Sequence, residues 1–164
     1  MSTLDFVGLW LHILGLTAYG GATLTLVAVI IPASQRQLAP MRHSFLAQTL
    51  RFYDPLAIAT LGVIVMTGAF NLTRYKDAMR DAFFVQIGAL LVWKLVFAFL
   101  VIMVGTYITF GLGHRIVRAE MSGEPFEPEQ LDSMVRRLVY ACVLNLTLLA
   151  ITAWLGLEFG HARG

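Results

Sequence analysis

The sequence predicts an all-α protein, an integral membrane antiparallel four-helix bundle. Three observations carry this. The chain is 58% hydrophobic and only 13% charged, against about 45–50% and about 25% in ordinary soluble domains. Four long stretches lack acidic and basic residues altogether or hold a single lysine. The segments between them are short, which favours neighbouring helices that run antiparallel.

The elements follow in order. Phe6–Gln35 contains no Asp, Glu, Lys or Arg, and a span needs ~20 mostly apolar residues. The first helix is therefore placed at about 6–33. Its flank, Met1-Ser-Thr-Leu-Asp5, has no positive charge, and its apolar run far exceeds the ~7–15 residues of a signal-peptide core, so it reads as an uncleaved span. Pro55–Thr73, between Asp54 and Arg74, gives the second helix at about 55–73. Ala82–His114, between Asp81 and Arg115, holds one charge and gives the third at about 83–112. Leu138–Leu157, between Arg137 and Glu158, gives the fourth at about 136–158. Ahead of it, Glu124-Pro-Phe-Glu-Pro128 is a helix-start signal, so this helix is expected to begin near Pro128 before entering the bilayer. Ser122-Gly123-Glu124-Pro125 reads as a turn. Residues 34–54, 74–81 and 113–137 read as loops. No repeat, low-complexity tract or linker divides the chain, so residues 1–164 form one membrane domain.

The loops set an orientation. The first carries Arg36, Arg42 and Arg51, and the third Arg115, Arg118, Arg136 and Arg137. Opposite them stand Arg74, Lys76, Arg80 and Arg163. By the positive-inside rule the first and third loops face the cytoplasm and both termini lie outside. The net charge of +2 is small and the basic residues flank spans, so nucleic acid is not an expected partner. The expected partners are the lipid bilayer and either other membrane subunits or a second copy of the chain. The single cysteine, Cys142, allows neither an internal disulfide nor a Cys-based metal motif.

Lys94 is the one formal charge within the third span. An ammonium at such depth costs on the order of 3 kcal/mol on insertion scales, so it ordinarily faces a bundle interior and has a partner. On the first helix, Gly8, His12, Gly15, Tyr19 and Thr23 share a face. That face is either a packing seam with a hydrogen-bonded histidine or the wall of a ligand site, since small residues admit a helix or a flat ligand alike. The second helix presents Thr60, Thr67 and Asn71 with Gly68 beside them, and the fourth presents Cys142, Asn145, Leu149 and Thr152. Asn and Thr at this spacing most often bond between helices. His12 lies ~9 Å inside Phe6 and Lys94 ~18 Å inside Ala82 at the helical rise. Side chains lean toward the helix N-terminus, which brings Lys94 toward the level of His12, Thr67 and Asn71. A polar pocket in the outer half follows if these faces converge. No carboxylate falls inside the four spans as drawn, so Lys94 is expected to meet a bound anion or a backbone carbonyl, to have a lowered pKa, or to snorkel outward with no ligand. His12, Lys94, Tyr19, Thr67 and Asn71 are the candidate cofactor-binding residues, and His12 is the candidate metal ligand.

The other histidines are weaker candidates. His43 and His114 adjoin Arg42 and Arg115 and read as interfacial residues, while His161 is either a flap over the pocket or part of a tail. The methionines lack Met-x-Met or Met-x-x-Met spacing, so no thioether copper relay is visible.

Trp10-Leu-His12-Ile-Leu-Gly15, then Ala18-Tyr-Gly-Gly21 and Ile31-Pro32, resemble the first helix of copper-resistance protein D (CopD) domains. Met66-Thr-Gly68 looks like that family's second-helix Thr-Gly, and Leu91-Val-Trp-Lys94-Leu like its third-helix signature. The match covers roughly residues 6–118. It implies a multi-pass protein of the bacterial inner membrane, with its termini on the periplasmic side in the orientation above, that handles or transports copper. The HemJ type of protoporphyrinogen oxidase is a related four-helix family with a similar histidine and lysine, and implies haem b. The chain departs from it at Val29-Ile-Ile-Pro-Ala-Ser34, where an Arg-x-x-x-x-His segment is missing. The cofactor expectation is thus haem b or copper. Beside copper handling stand a haem-binding oxidase or electron-transfer subunit, and a non-catalytic subunit of a larger membrane complex.

Overall fold

The computed structural model describes residues 3–79, 82–124 and 126–161; for 39–40, 74–79, 82–87 and 159–161 it describes the backbone alone. The chain is a bundle of four long helices, each long and apolar enough to cross a membrane. Helix α1 runs Thr3–Gln35, α2 Ala39–Met79, α3 over residues 82–121 and α4 Pro128–His161. No strand occurs among the described residues.

Two helices change pitch along their length. In α1 a π-helical turn covers Leu26–Ile30, immediately before Pro32. Proline lacks the N–H for an i→i−4 bond and its ring crowds the carbonyl below, so a widened turn lets the helix pass it unbroken. In α3 the π-helical stretch is Tyr107–Gly113. Helix α2 passes Pro55 without interruption, which leaves the Arg51 carbonyl without its helical donor.

Helix α1 packs chiefly on α2; α3 packs on α4 along Ala82–Thr106 and on α2 along His114–Met121. The tightest packing lies at the end that carries the α1–α2 and α3–α4 connections, here the closed end. There Ile31, Leu46, Leu50, Ile116, Leu131, Val135 and Leu138 are buried. Arg42 on α2 bonds Asp132 on α4, and the His43 Nδ1 lies 2.7 Å from the Glu120 Oε2 on α3. Toward the other end, which carries the termini, Trp10, Val92, Trp93, Leu95, Phe99 and Trp154 are turned outward. Lipid solvates such faces, so there the bundle needs only small residues and polar contacts between helices.

Three sequence expectations are corrected. The first loop is not 34–54: α1 ends at Gln35 and α2 starts at Ala39. The third is not 113–137: helix continues through His114–Met121 and restarts at Pro128. The second is not 74–81, because α2 continues to Met79 and α3 starts at Ala82; residues 80–81 lie outside the described residues. Charge marks where a helix leaves apolar surroundings, not where its hydrogen bonds stop, and alternating charged and apolar residues such as His114–Met121 suit an amphipathic helix. The expected start near Pro128 is observed. The expected turn is present at Ser122-Gly123, where Gly123 takes φ of 71°, a region that suits glycine; Pro125 lies outside the described residues.

Candidate functional site

The site is built on the seam between α1 and α2. A Cβ on Gly15 would stand 3.0 Å from the Ile64 side chain, and one on Gly8 would stand 3.0 Å from the Asn71 Oδ1. These glycines let the two backbones close up. His12, between them on the same face, then reaches into α2. Its Nδ1 lies 2.9 Å from the Thr67 Oγ1 and 3.1 Å from the Ile64 carbonyl. Its ring covers Gly68, where a Cβ would stand 3.3 Å from the His12 Cε1.

This network fixes the tautomer. The Thr67 hydroxyl donates to the Val63 carbonyl at 2.6 Å, as threonines in helices do. Its one proton is spent, so toward His12 the Thr67 oxygen accepts. The Ile64 carbonyl can only accept. The His12 Nδ1 therefore carries the proton, and in the neutral ring the lone pair sits on Nε2. A ring held through Nδ1–H by a backbone carbonyl is the usual setting of a histidine that ligates through its other nitrogen.

Lys94 comes from α3. Its Nζ lies 3.3 Å from where a Cβ on Gly156 of α4 would be, so the ammonium rests against a helix face cleared of side chain. The structure thus brings His12, Thr67 and Lys94 into one half of the bundle, with Asn71 one turn away beside Gly8. The sequence reading did not single out Gly156. Its signal was present: Cys142, Asn145, Leu149, Thr152 and Gly156 continue one helical face by steps of three and four.

Tyr19 does not join this group. Two helical turns further on, its hydroxyl accepts from the Asn145 Nδ2 of α4 and sits against Gly105 of α3. Tyr19 and Asn145 are buried, at 2% and 1% exposed. Below them Thr23 donates to the Tyr19 carbonyl at 2.9 Å and meets the Tyr53 hydroxyl at 3.0 Å. Tyr19, Thr23 and Asn145 therefore bond between helices, as the spacing suggested. Thr60 and Thr152 bond back to their own helices.

Two further readings change. His43 is buried within the closed end rather than turned outward: it is 3% exposed, bonded to Glu120 and edge-on to Phe126. Asp54, treated as the boundary of a span, lies within α2 and faces the bundle. Its Oδ1 is buried without a hydrogen-bond partner, and a Cβ on Gly113 would stand 2.6 Å from it. Thirteen residues along α2 from Thr67, or ~20 Å, Asp54 is too distant to serve Lys94. The His161 side chain lies outside the described residues. Among the described residues no three His, Cys, Asp or Glu side chains come together to hold a metal ion.

No family model, curated protein or solved structure matches the chain. What the fold defines is a polytopic membrane protein of four helices, with His12 and Lys94 both toward the end that carries its termini.

Proposed function

We propose that the chain is a b-type haem protein of the bacterial inner membrane, with His12 as an axial ligand and Lys94 as the partner of a haem carboxylate. The observation that carries this is the hydrogen-bonded Nδ1 of His12, which leaves Nε2 as a neutral donor in the half of the bundle where the Lys94 ammonium rests against Gly156. This donor set fits the group: imidazole serves haem iron, and a point-charge ammonium complements a propionate. When bound, the haem supplies one-electron redox chemistry. The chain's own part is to orient the His12 ring through Thr67 and Ile64, to hold a negative group with Lys94, and to exclude water with the surrounding apolar helices. The CopD-like order of motifs offers copper handling as the second reading. A bare copper ion fits the same residues less well. Lys94 repels a cation, and soft-metal sites draw on several thiolate, thioether or imidazole donors.

Titration of the purified protein with hemin, and separately with Cu(I) buffered by a chelator, separates the two. The haem reading expects saturable hemin binding that His12→Ala abolishes and Lys94→Met weakens. Tight Cu(I) binding that depends on His12, with no specific hemin uptake, would overturn it in favour of copper. Binding of neither ligand would leave the third class, a subunit without a cofactor.

A further inference from the structure

A second feature of the bundle is independent of the His12 site. Between helices α2 and α3 lies a cleft of about 350 Å³. Its walls are one face of α2, including Gly62 and Val65, and one face of α3, including Gly105 and Thr109; Tyr19 of α1 also lines it. A Cβ on Gly62 would meet nothing within 4 Å. At the rim Met66 is 76% and Phe110 59% exposed, so the cleft opens sideways toward lipid. Its volume lies near the lower end of ligand pockets, about 300–1,000 Å³.

The lining is apolar apart from the hydroxyls of Tyr19, Thr106 and Thr109, and that of Thr109 is committed. Thr109 donates to the Gly105 carbonyl at 3.0 Å. Tyr19 is different. Its oxygen accepts from Asn145, and among the described residues no acceptor receives its own proton; there the Asn145 Oδ1 is likewise buried and unpaired. Turning the amide over would send the Tyr19 proton to Oδ1 and free a lone pair on the Tyr19 oxygen instead. In either orientation the Tyr19 hydroxyl keeps one hydrogen-bonding capacity unspent, at the Gly105 wall of the cleft. Leaving a polar group this deeply buried unmet is costly, and a ligand with a matching group relieves that cost.

Depth narrows the ligand. Tyr19 is sixteen residues, or ~24 Å, from either end of α1, so it stands at mid-span. Ester carbonyls of phospholipids belong to the interface, and acyl tails at mid-span offer no acceptor. A lipid-dissolved molecule with a ring-borne carbonyl or hydroxyl and an apolar tail has both features. We infer that the α2–α3 cleft is a lateral binding site for an isoprenoid quinone, with the head group on the Tyr19 hydroxyl and the tail passing out between Met66 and Phe110. A quinone carbonyl takes the Tyr19 proton, and a quinol hydroxyl gives one to its lone pair.

The test uses the full chain in nanodiscs of dimyristoyl phosphatidylcholine, with decylubiquinone as the probe and the Tm followed by circular dichroism. The expectation is a Tm that rises with decylubiquinone in the wild type. Tyr19→Phe should require roughly tenfold more probe for the same rise, the loss of one hydrogen bond. Gly62→Leu fills the cleft, leaves the Tyr19–Asn145 pair intact and should abolish the response. An unchanged response in Gly62→Leu, an equal response of the wild type to pentadecane, or no response at all would overturn the site. Pentadecane in particular would mark the cleft as a bed for acyl chains. Haem content does not enter these measurements, so a wild type without haem leaves the test intact.

Discussion

One threonine decides the chemistry of His12. Because Thr67 has already given its proton to Val63, it can only receive the proton of His12, and the imidazole is left with its donor lone pair on Nε2. Thr67→Val keeps the shape and removes this acceptor. Haem affinity should fall about tenfold, at the lower edge of what removing a partner behind a ligating histidine costs, with the helix content unchanged; affinity equal to wild type in a hemin titration would show that Thr67 does not hold the ligand ring. Lys94→Met keeps length and removes charge, so haem should stabilise the wild type more than the variant. Lys94→Arg should restore little, since a planar fork does not replace a compact ammonium in a packed site. Equal haem-induced shifts in Tm for wild type and Lys94→Met would leave Lys94 with a snorkelling role. His12, Thr67 and Asn71 were legible because a spacing of three and four puts residues on one face and depth aligns the faces. Tyr19 shares that face of α1 yet serves another contact. The same stripe meets α2 near His12 and α4 near Tyr19, and periodicity gives the stripe without its neighbour.

At the scale of the helices, the closed end shows what charge patterning hides. Arg42, His43, Glu120 and Asp132 look like loop residues in sequence but stand on helices and tie three of them together. Their apolar neighbours Leu46, Leu50, Ile116 and Leu131 form a core outside the stretches that hydropathy marks. Apolar runs locate lipid-facing segments well, whereas the continuation of a helix beyond them depends on packing partners that sequence does not display. The π-helical stretch Tyr107–Gly113 belongs here too. Its last residue, Gly113, admits the Asp54 carboxylate, whose two oxygens would stand 2.6 and 2.8 Å from an added Cβ. Gly113→Ala should therefore destabilise the bundle by about 1–3 kcal/mol, the usual range for overpacking. Asp54→Ala makes room, so Gly113→Ala should cost markedly less in that background. A thermal-melt double-mutant cycle reads the coupling; the same loss in both backgrounds would place the strain elsewhere.

For the whole molecule, two questions remain joined: which way the bundle sits and what its histidine binds. From the excess of basic residues beside the α1–α2 and α3–α4 connections we propose that the closed end faces the cytoplasm. Alkaline phosphatase fused after Gly164 should be active, and the same reporter inserted after Gly123 should be silent; the reverse pattern would invert the bundle and put His12 and Lys94 on the cytoplasmic side. The four-helix architecture was legible because bilayer thickness imposes long uncharged runs, and no comparable rule turns a lone histidine and lysine into a named ligand. The most direct measurement is the reduced-minus-oxidised absorption spectrum of the protein purified from membranes, with wild type and His12→Ala side by side at equal helix content. A reducible Soret band in the wild type that disappears in His12→Ala is the predicted result. A wild type without that band, or a band of full intensity in His12→Ala, would contradict haem ligation by His12.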